Sequence, residues 1–144
     1  MDPPTQAGGV IYRISKTFPF SASHQLEHLP EGHKCRRMHG HNYIITLIFK
    51  RGSLDEWSFV RDFDSLNTFQ NWVDVQLDHR HLNDVLRDAR EDSRHQSIQK
   101  AAVSLQPTSE NLAWWIFQRW HSVWLDLEAV RVSEGLDTWA EYSN

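Results

Sequence analysis

Nine residues, Asn42 to Lys50 (NYIITLIFK), constrain this chain more than any other stretch. Tyr43, Ile45, Leu47 and Phe49 recur at every second position. Side chains two apart on a strand face the same way, so the segment reads as a strand with one face in a core. At its mouth stand His39 and His41, also two apart, whose imidazoles can therefore reach one ion together. Val10 to Phe20 is a second alternating run, with Val10, Tyr12 and Ile14 on one side and Arg13, Ser15 and Thr17 on the other. His24 ends the strand-like stretch that continues it and can supply a third nitrogen. Three protein ligands with an open fourth position is how a catalytic zinc is usually held. Cys35, four residues before His39, then has two readings. It lies close to whatever the metal activates, or it is the fourth ligand of a closed structural site.

Composition excludes several classes. The 144 residues suit one domain, and a net charge of −4 gives no support for a nucleic-acid or membrane surface. The single cysteine cannot form an internal disulfide, which points to a reducing, cytoplasmic compartment. No apolar run has the length of a membrane span, and MDPPTQAGG lacks the features of a signal peptide. Residues 1–9 read as a disordered leader and residues 10–144 as the domain. Of seven tryptophans, those from Trp114 to Trp139 suggest a broad buried face, within the core or at a subunit contact.

Further along, Trp57 to Phe63 reads as a third strand. Asp64 is placed to cap a helix running to about Leu77, with Leu66, Phe69, Val73 and Leu77 on one side. Residues 85–106 are polar and mixed in charge and read as a surface insertion. Pro107-Thr108-Ser109-Glu110 opens a second helix with Thr108 as its cap, and Leu112, Ile116, Trp120 and Val123 form its apolar side. Leu127 to Glu134 is a fourth strand and Thr138 to Tyr142 a fifth. Strands at both ends with helices between imply an α+β fold, an antiparallel sheet carrying two helices on one face. Val130, Val132 and Glu134 alternate, so a carboxylate ends an apolar row, where an unpaired charge is costly.

FSASH (Phe20–His24), CRRMHGH (Cys35–His41), LDHRHLND (Leu77–Asp84), PTSEN (Pro107–Asn111) and VSE (Val132–Glu134) occur in this order. With these segments the chain resembles the 6-pyruvoyl- and 6-carboxytetrahydropterin synthases from about Tyr12 to Tyr142. The resemblance implies the tunnelling fold, a β-β-α-α-β-β subunit that joins into a barrel, usually a hexamer built as a dimer of trimers. It implies zinc on His24, His39 and His41, and dihydroneopterin triphosphate as substrate. The short gap between Cys35 and His39, and the loop LPEGHKC, resemble the bacterial 6-carboxytetrahydropterin synthases of queuosine and 7-deazapurine biosynthesis. The animal pyruvoyl enzymes have a longer gap, and a hydroxymethyl-forming branch carries glutamate in place of the cysteine. Two departures stand out: the length of residues 85–106, and Gly135 where those bacterial enzymes commonly have threonine.

The resemblance assigns roles that chemistry can support. Cys35 would be the base removing a carbon-bound proton, its thiolate favoured by the metal and by the run Lys34, Arg36, Arg37. Lys34 and Arg37 are also candidates for contacts to the substrate. Asp78 would orient His79, which would shuttle a proton on the substrate's other side, while His81 faces solvent or supports the site from behind. Glu134 would accept two hydrogen bonds from the pterin's donor edge, away from the reacting side chain, and Thr108 and Ser109 would add pterin contacts.

Overall fold

The computed structural model describes Met1, residues 9–90 and residues 105–144. Most of the expected leader, and residues 91–104 of the expected insertion, lie outside the described residues. Strands β1 (Tyr12–His24) and β2 (His39–Arg51) pair antiparallel along their whole length, from Tyr12 opposite Arg51 to His24 opposite His39. Helix α1 (Asn67–Gln76), the two-residue strand β3 (Arg80–His81) and helix α2 (Leu82–Arg90) follow. Helix α3 (Ser109–Trp120), β4 (Leu127–Ser133) and β5 (Ala140–Ser143) complete the described chain. The sheet order is β3-β1-β2-β4-β5, antiparallel except where β3 runs parallel beside Ala22 and Ser23.

The alternation in the sequence decides which face is buried. Phe18 and Phe20 of β1, Tyr43, Ile45, Leu47 and Phe49 of β2, and Val130 and Val132 of β4 all point into one core. Their neighbours Ser15, Thr17 and Pro19 lie on the exposed face. Phe69 and Val73 cover that core from α1, with Leu66 just ahead of it, and Leu112, Trp115 and Ile116 from α3. The tryptophans join these layers: Trp72 packs on Trp115 at 5.6 Å, and Trp120 stacks on Trp124 at 4.9 Å. Trp57 and Trp139 stay exposed. Each large apolar side chain fully buried in this way stabilises the fold by about 1.5–3 kcal/mol.

Four expectations are corrected. Trp57 to Phe63 is not a strand: the Asp55 carboxylate accepts from the Trp57 and Phe59 amides, each at 2.9 Å, and closes a turn that leaves both aromatics exposed. The cap ahead of α1 is Asp62, whose side chain accepts from the Asp64 amide and starts a short 3-10 turn, Phe63–Leu66. Residues 85–90 belong to α2, a third helix, because Leu82 and Leu86 stand one turn apart and are both buried. Val123 lies beyond α3 and is exposed. The Thr108 cap is as expected, its hydroxyl accepting from the Asn111 amide at 3.2 Å.

Candidate functional site

The β1–β2 register assembles three histidines at one end of the sheet. His24 is the direct cross-strand partner of His39, and His41 is the partner of Ala22. Alternation turns His39, His41 and Tyr43 to the same side. Gly40, between the two histidines, faces β1 closely: a Cβ there would sit 3.3 Å from the Ala22 carbonyl oxygen. His24 Nε2 lies 2.9 Å from His39 Nε2 and 3.2 Å from His41 Nε2. Among the described residues this trio is the group of ligand atoms able to hold a metal ion.

The partners of two of the rings fix their tautomers. His24 Nδ1 lies 2.8 Å from the Pro107 carbonyl and His39 Nδ1 lies 2.6 Å from the Arg37 carbonyl. A carbonyl only accepts, so each Nδ1 carries the proton and each Nε2 presents a lone pair. Two lone pairs 2.9 Å apart repel unless a cation lies between them. Burial lowers the pKa of His24, which disfavours supplying that cation as a proton on its ring. Tetrahedral zinc with bonds of about 2.0–2.1 Å sets its nitrogens roughly 3.3 Å apart. The donor set therefore fits a divalent metal with nitrogen preference. The Cys35 sulfur is not part of the group.

Around this centre the surface is hollowed. A cleft of about 760 Å³ is lined by His41, Asn42, Tyr43, Asp78 and Glu134 among others. Glu134 Oε2 stands 3.6 Å from His41 Nε2. Glu134 thus stands beside the histidine trio. Glu134 follows Ser133, the partner of Ile44, and so flanks the His41–Tyr43 row. It also borders a smaller recess of about 250 Å³ with Thr108, Ser109, Glu110 and Trp139. One carboxylate thus borders both hollows.

Asp78 Oδ2 accepts a hydrogen bond from His79 Nδ1 at 2.9 Å. The Ser21 amide donates to Asp78 Oδ1 at 2.9 Å, and the His79 amide donates to the Ser21 carbonyl at 2.6 Å. These bonds clamp the turn to β1 and hold His79 at φ 59°, a left-handed backbone that residues other than glycine seldom adopt. The Ser21 amide first, then His79, holds the Asp78 carboxyl below its usual range. The His79 ring is 83% exposed. His81 is not simply solvent-facing: its Nδ1 is 2.8 Å from the Ser23 hydroxyl.

The model of the 6-pyruvoyl tetrahydropterin synthase family matches residues 13–144. The chain belongs to this family. The 6-carboxy-5,6,7,8-tetrahydropterin synthase of Synechocystis sp. is 34% identical over 139 residues, which are 92% of this chain and 93% of that protein. The enzyme of the same description from Aquifex aeolicus is 28% identical over 122 residues, 71% of this chain and 74% of its own. The structure of Caenorhabditis elegans 6-pyruvoyl tetrahydropterin synthase shares the fold with a TM-score of 0.70 at 25% identity, covering 93% of this chain and 96% of that one. Membership of the tetrahydropterin synthase family makes the chain a lyase, and its sheet and helices are those of the tunnelling fold.

Within this synthase fold, the loop between β1 and β2 carries the remaining expected residues. Cys35 is half-buried in a 3-10 turn, Lys34–Arg36, with its amide donating to His33 Nδ1. Arg36 donates to the Glu27 and Leu29 carbonyls at 2.9 and 2.7 Å, so its guanidinium braces the loop. Lys34 and Arg37 have exposed side chains. Sequence reasoning missed two residues that touch the histidines, Tyr43 and Pro107. Tyr43 reads as core from its alternation and Pro107 as a helix starter. Only the tertiary fold brings them to His24.

Proposed function

We propose that this protein is a zinc-dependent 6-carboxytetrahydropterin synthase, converting 7,8-dihydroneopterin triphosphate and one water to 6-carboxy-5,6,7,8-tetrahydropterin with release of triphosphate and acetaldehyde. The observation that carries the reading is the juxtaposition of three converging imidazole nitrogens with Glu134, 3.6 Å from His41 and shared by cleft and recess. A closed structural site has no need of that carboxylate, nor of a cleft, and the sulfur it would require is outside the nitrogen group. The names and coverage of the Synechocystis and Aquifex relatives favour the carboxy product.

His24, His39 and His41 would hold the zinc, which supplies Lewis acidity toward side-chain oxygens of the substrate. The chain's own groups do the rest. Glu134, with its two oxygens, accepts from the ring N–H and exocyclic amine of the pterin and sets its orientation. Thr108 and Ser109, at the start of α3, line the same recess. Cys35 Sγ removes a proton from a side-chain carbon, and Lys34 and Arg37 balance the triphosphate charge. His79 Nδ1 is engaged by Asp78, which leaves Nε2 to deliver or take a proton, and the carboxylate steadies the charged ring. The exposure of His79 on a single chain fits a site completed where two subunits meet. We include in the reading a homo-oligomer, a dimer of trimers, in the cytoplasm and serving 7-deazapurine (queuosine) biosynthesis. No described helix is long and apolar enough to cross a membrane.

The test is to incubate the zinc-loaded protein with dihydroneopterin triphosphate and identify every product by mass spectrometry. 6-Carboxytetrahydropterin and acetaldehyde are expected. 6-Pyruvoyltetrahydropterin without acetaldehyde would assign the pyruvoyl reaction instead, and no turnover would defeat the catalytic reading.

A further inference from the structure

Tyr43 is wholly buried, yet its one polar atom is directed at the metal-ligand set. Its hydroxyl lies 3.1 Å from His24 Nδ1, on the same nitrogen that the Pro107 carbonyl contacts at 2.8 Å. Because that carbonyl cannot donate, Nδ1 must carry the proton, and its N–H is shared between the carbonyl and the phenolic oxygen. The ring of Tyr43 is itself fixed, stacked on Phe20 at 4.9 Å with an interplanar angle of 8° and edge-on to His41 at 5.4 Å. The hydroxyl therefore cannot swing away without disturbing the sheet.

We propose that Tyr43 is a positioning residue for the metal: with the Pro107 carbonyl it holds the His24 imidazole in the Nδ1–H form and at a fixed tilt, so that Nε2 faces His39 and His41 before an ion arrives. This rests on the reading of the three histidines as a metal site. It assigns to HNY, the tripeptide after Gly40, a function that its alternation conceals. His41 supplies a ligand, and Tyr43, one pleat further along β2, orients a ligand on the neighbouring strand. Partners of this kind, which fix the ring and tautomer of a ligating histidine, typically change metal affinity 10–100-fold when removed.

Tyr43→Phe removes the oxygen and keeps the ring, so stacking on Phe20 is retained. Zinc affinity of the metal-free chain is measured by competition with a chromophoric chelator, beside wild type and Ile45→Val, a buried neighbour on the same face with no contact to His24 Nδ1. The expected result is zinc binding about 10- to 100-fold weaker in Tyr43→Phe and unchanged in Ile45→Val, even if both unfold at lower temperature. Nitrogen chemical shifts of the metal-free protein should report His24 as the Nδ1–H tautomer in wild type and Tyr43→Phe alike, because the Pro107 carbonyl still accepts from Nδ1, so that the loss of affinity is read as a loss of ring orientation. Equal affinity in Tyr43→Phe and wild type, or an equal loss in Ile45→Val, overturns the proposal while leaving the metal site standing. Wild type that takes up no zinc overturns the metal reading itself and this proposal with it.

Discussion

Replacing Glu134 by glutamine removes a charge while changing little volume, and the structure gives it two separable consequences. The carboxylate offers two acceptors to a pterin edge, whereas glutamine keeps one and turns an N–H₂ toward a group that also donates. A hydrogen bond to a charged group contributes roughly 1.5–3 kcal/mol, which is about ten- to a hundredfold in affinity. The side chain is 34% exposed, so solvent screening favours the lower half of that range. The same carboxylate stands 3.6 Å from His41 Nε2 and lends some attraction to a bound cation. At this exposure that attraction is about 1 kcal/mol or less, so zinc binding should weaken by less than about tenfold. The assay titrates 6-methylpterin, which lacks a cleavable side chain, into zinc-loaded wild type and Glu134→Gln, with zinc measured in both. Unchanged pterin affinity with zinc intact would make the carboxylate structural. Wholesale loss of zinc would make Glu134 a ligand and refute its assignment as the pterin anchor.

The other predictions concern the metal, the base, the acid–base pair and assembly. His39→Ala should lose most of its zinc by metal analysis, and full retention would remove it from the ligand set. Cys35→Ala should keep its zinc while turnover falls by about a hundredfold or more, the scale of a lost general base; zinc loss would revive the closed structural site. Asp78 has a carboxyl pKa held below the ordinary range by the Ser21 amide and His79. Its stabilising contribution is therefore full above the unfolded pKa of about 3.9 and disappears as pH falls through the lower folded value. Melting temperatures of wild type and Asp78→Asn should differ at neutral pH and converge on acidification below about pH 4; a gap that persists in acid would mean the substitution acts through packing. Light scattering at assay concentrations should find an oligomer, and a fully active monomer would refute a site shared between subunits.

How much of this was legible in the sequence follows from the range of each interaction. His39, His41 and the row Tyr43, Ile45, Leu47, Phe49 obey a two-residue period that survives folding unchanged, so both the strand and the paired imidazoles could be read directly. The Thr108 cap is equally local. Trp57 to Phe63 misled because aromatic residues suit strands, whereas Asp55 captures the Trp57 and Phe59 amides that a ladder would need. In α2, two buried leucines one turn apart are diluted by Asn83, Asp84, Arg87 and Asp88, which hides a core helix inside a polar stretch. The nearness of Glu134 to His41 depends on the β2–β4 register, the contact of Tyr43 with His24 on the β1–β2 register, and that of Pro107 on where α3 begins. None of these is written in a spacing.

The pairing of His24 with His39 also says where this chain can tolerate change. The spacing of the three imidazoles is fixed by the alignment of two strands, not by the segment of residues 25–38 that joins them. A change in the length or content of that segment leaves the nitrogens where they are, provided the strand pairing is kept. One residue inserted within β1 between its buried positions and His24 has the opposite effect. It turns His24 to the exposed face and carries it out of reach of its partners, although composition and length hardly change. The loop is thus free to vary, and the residue count within the strand is not.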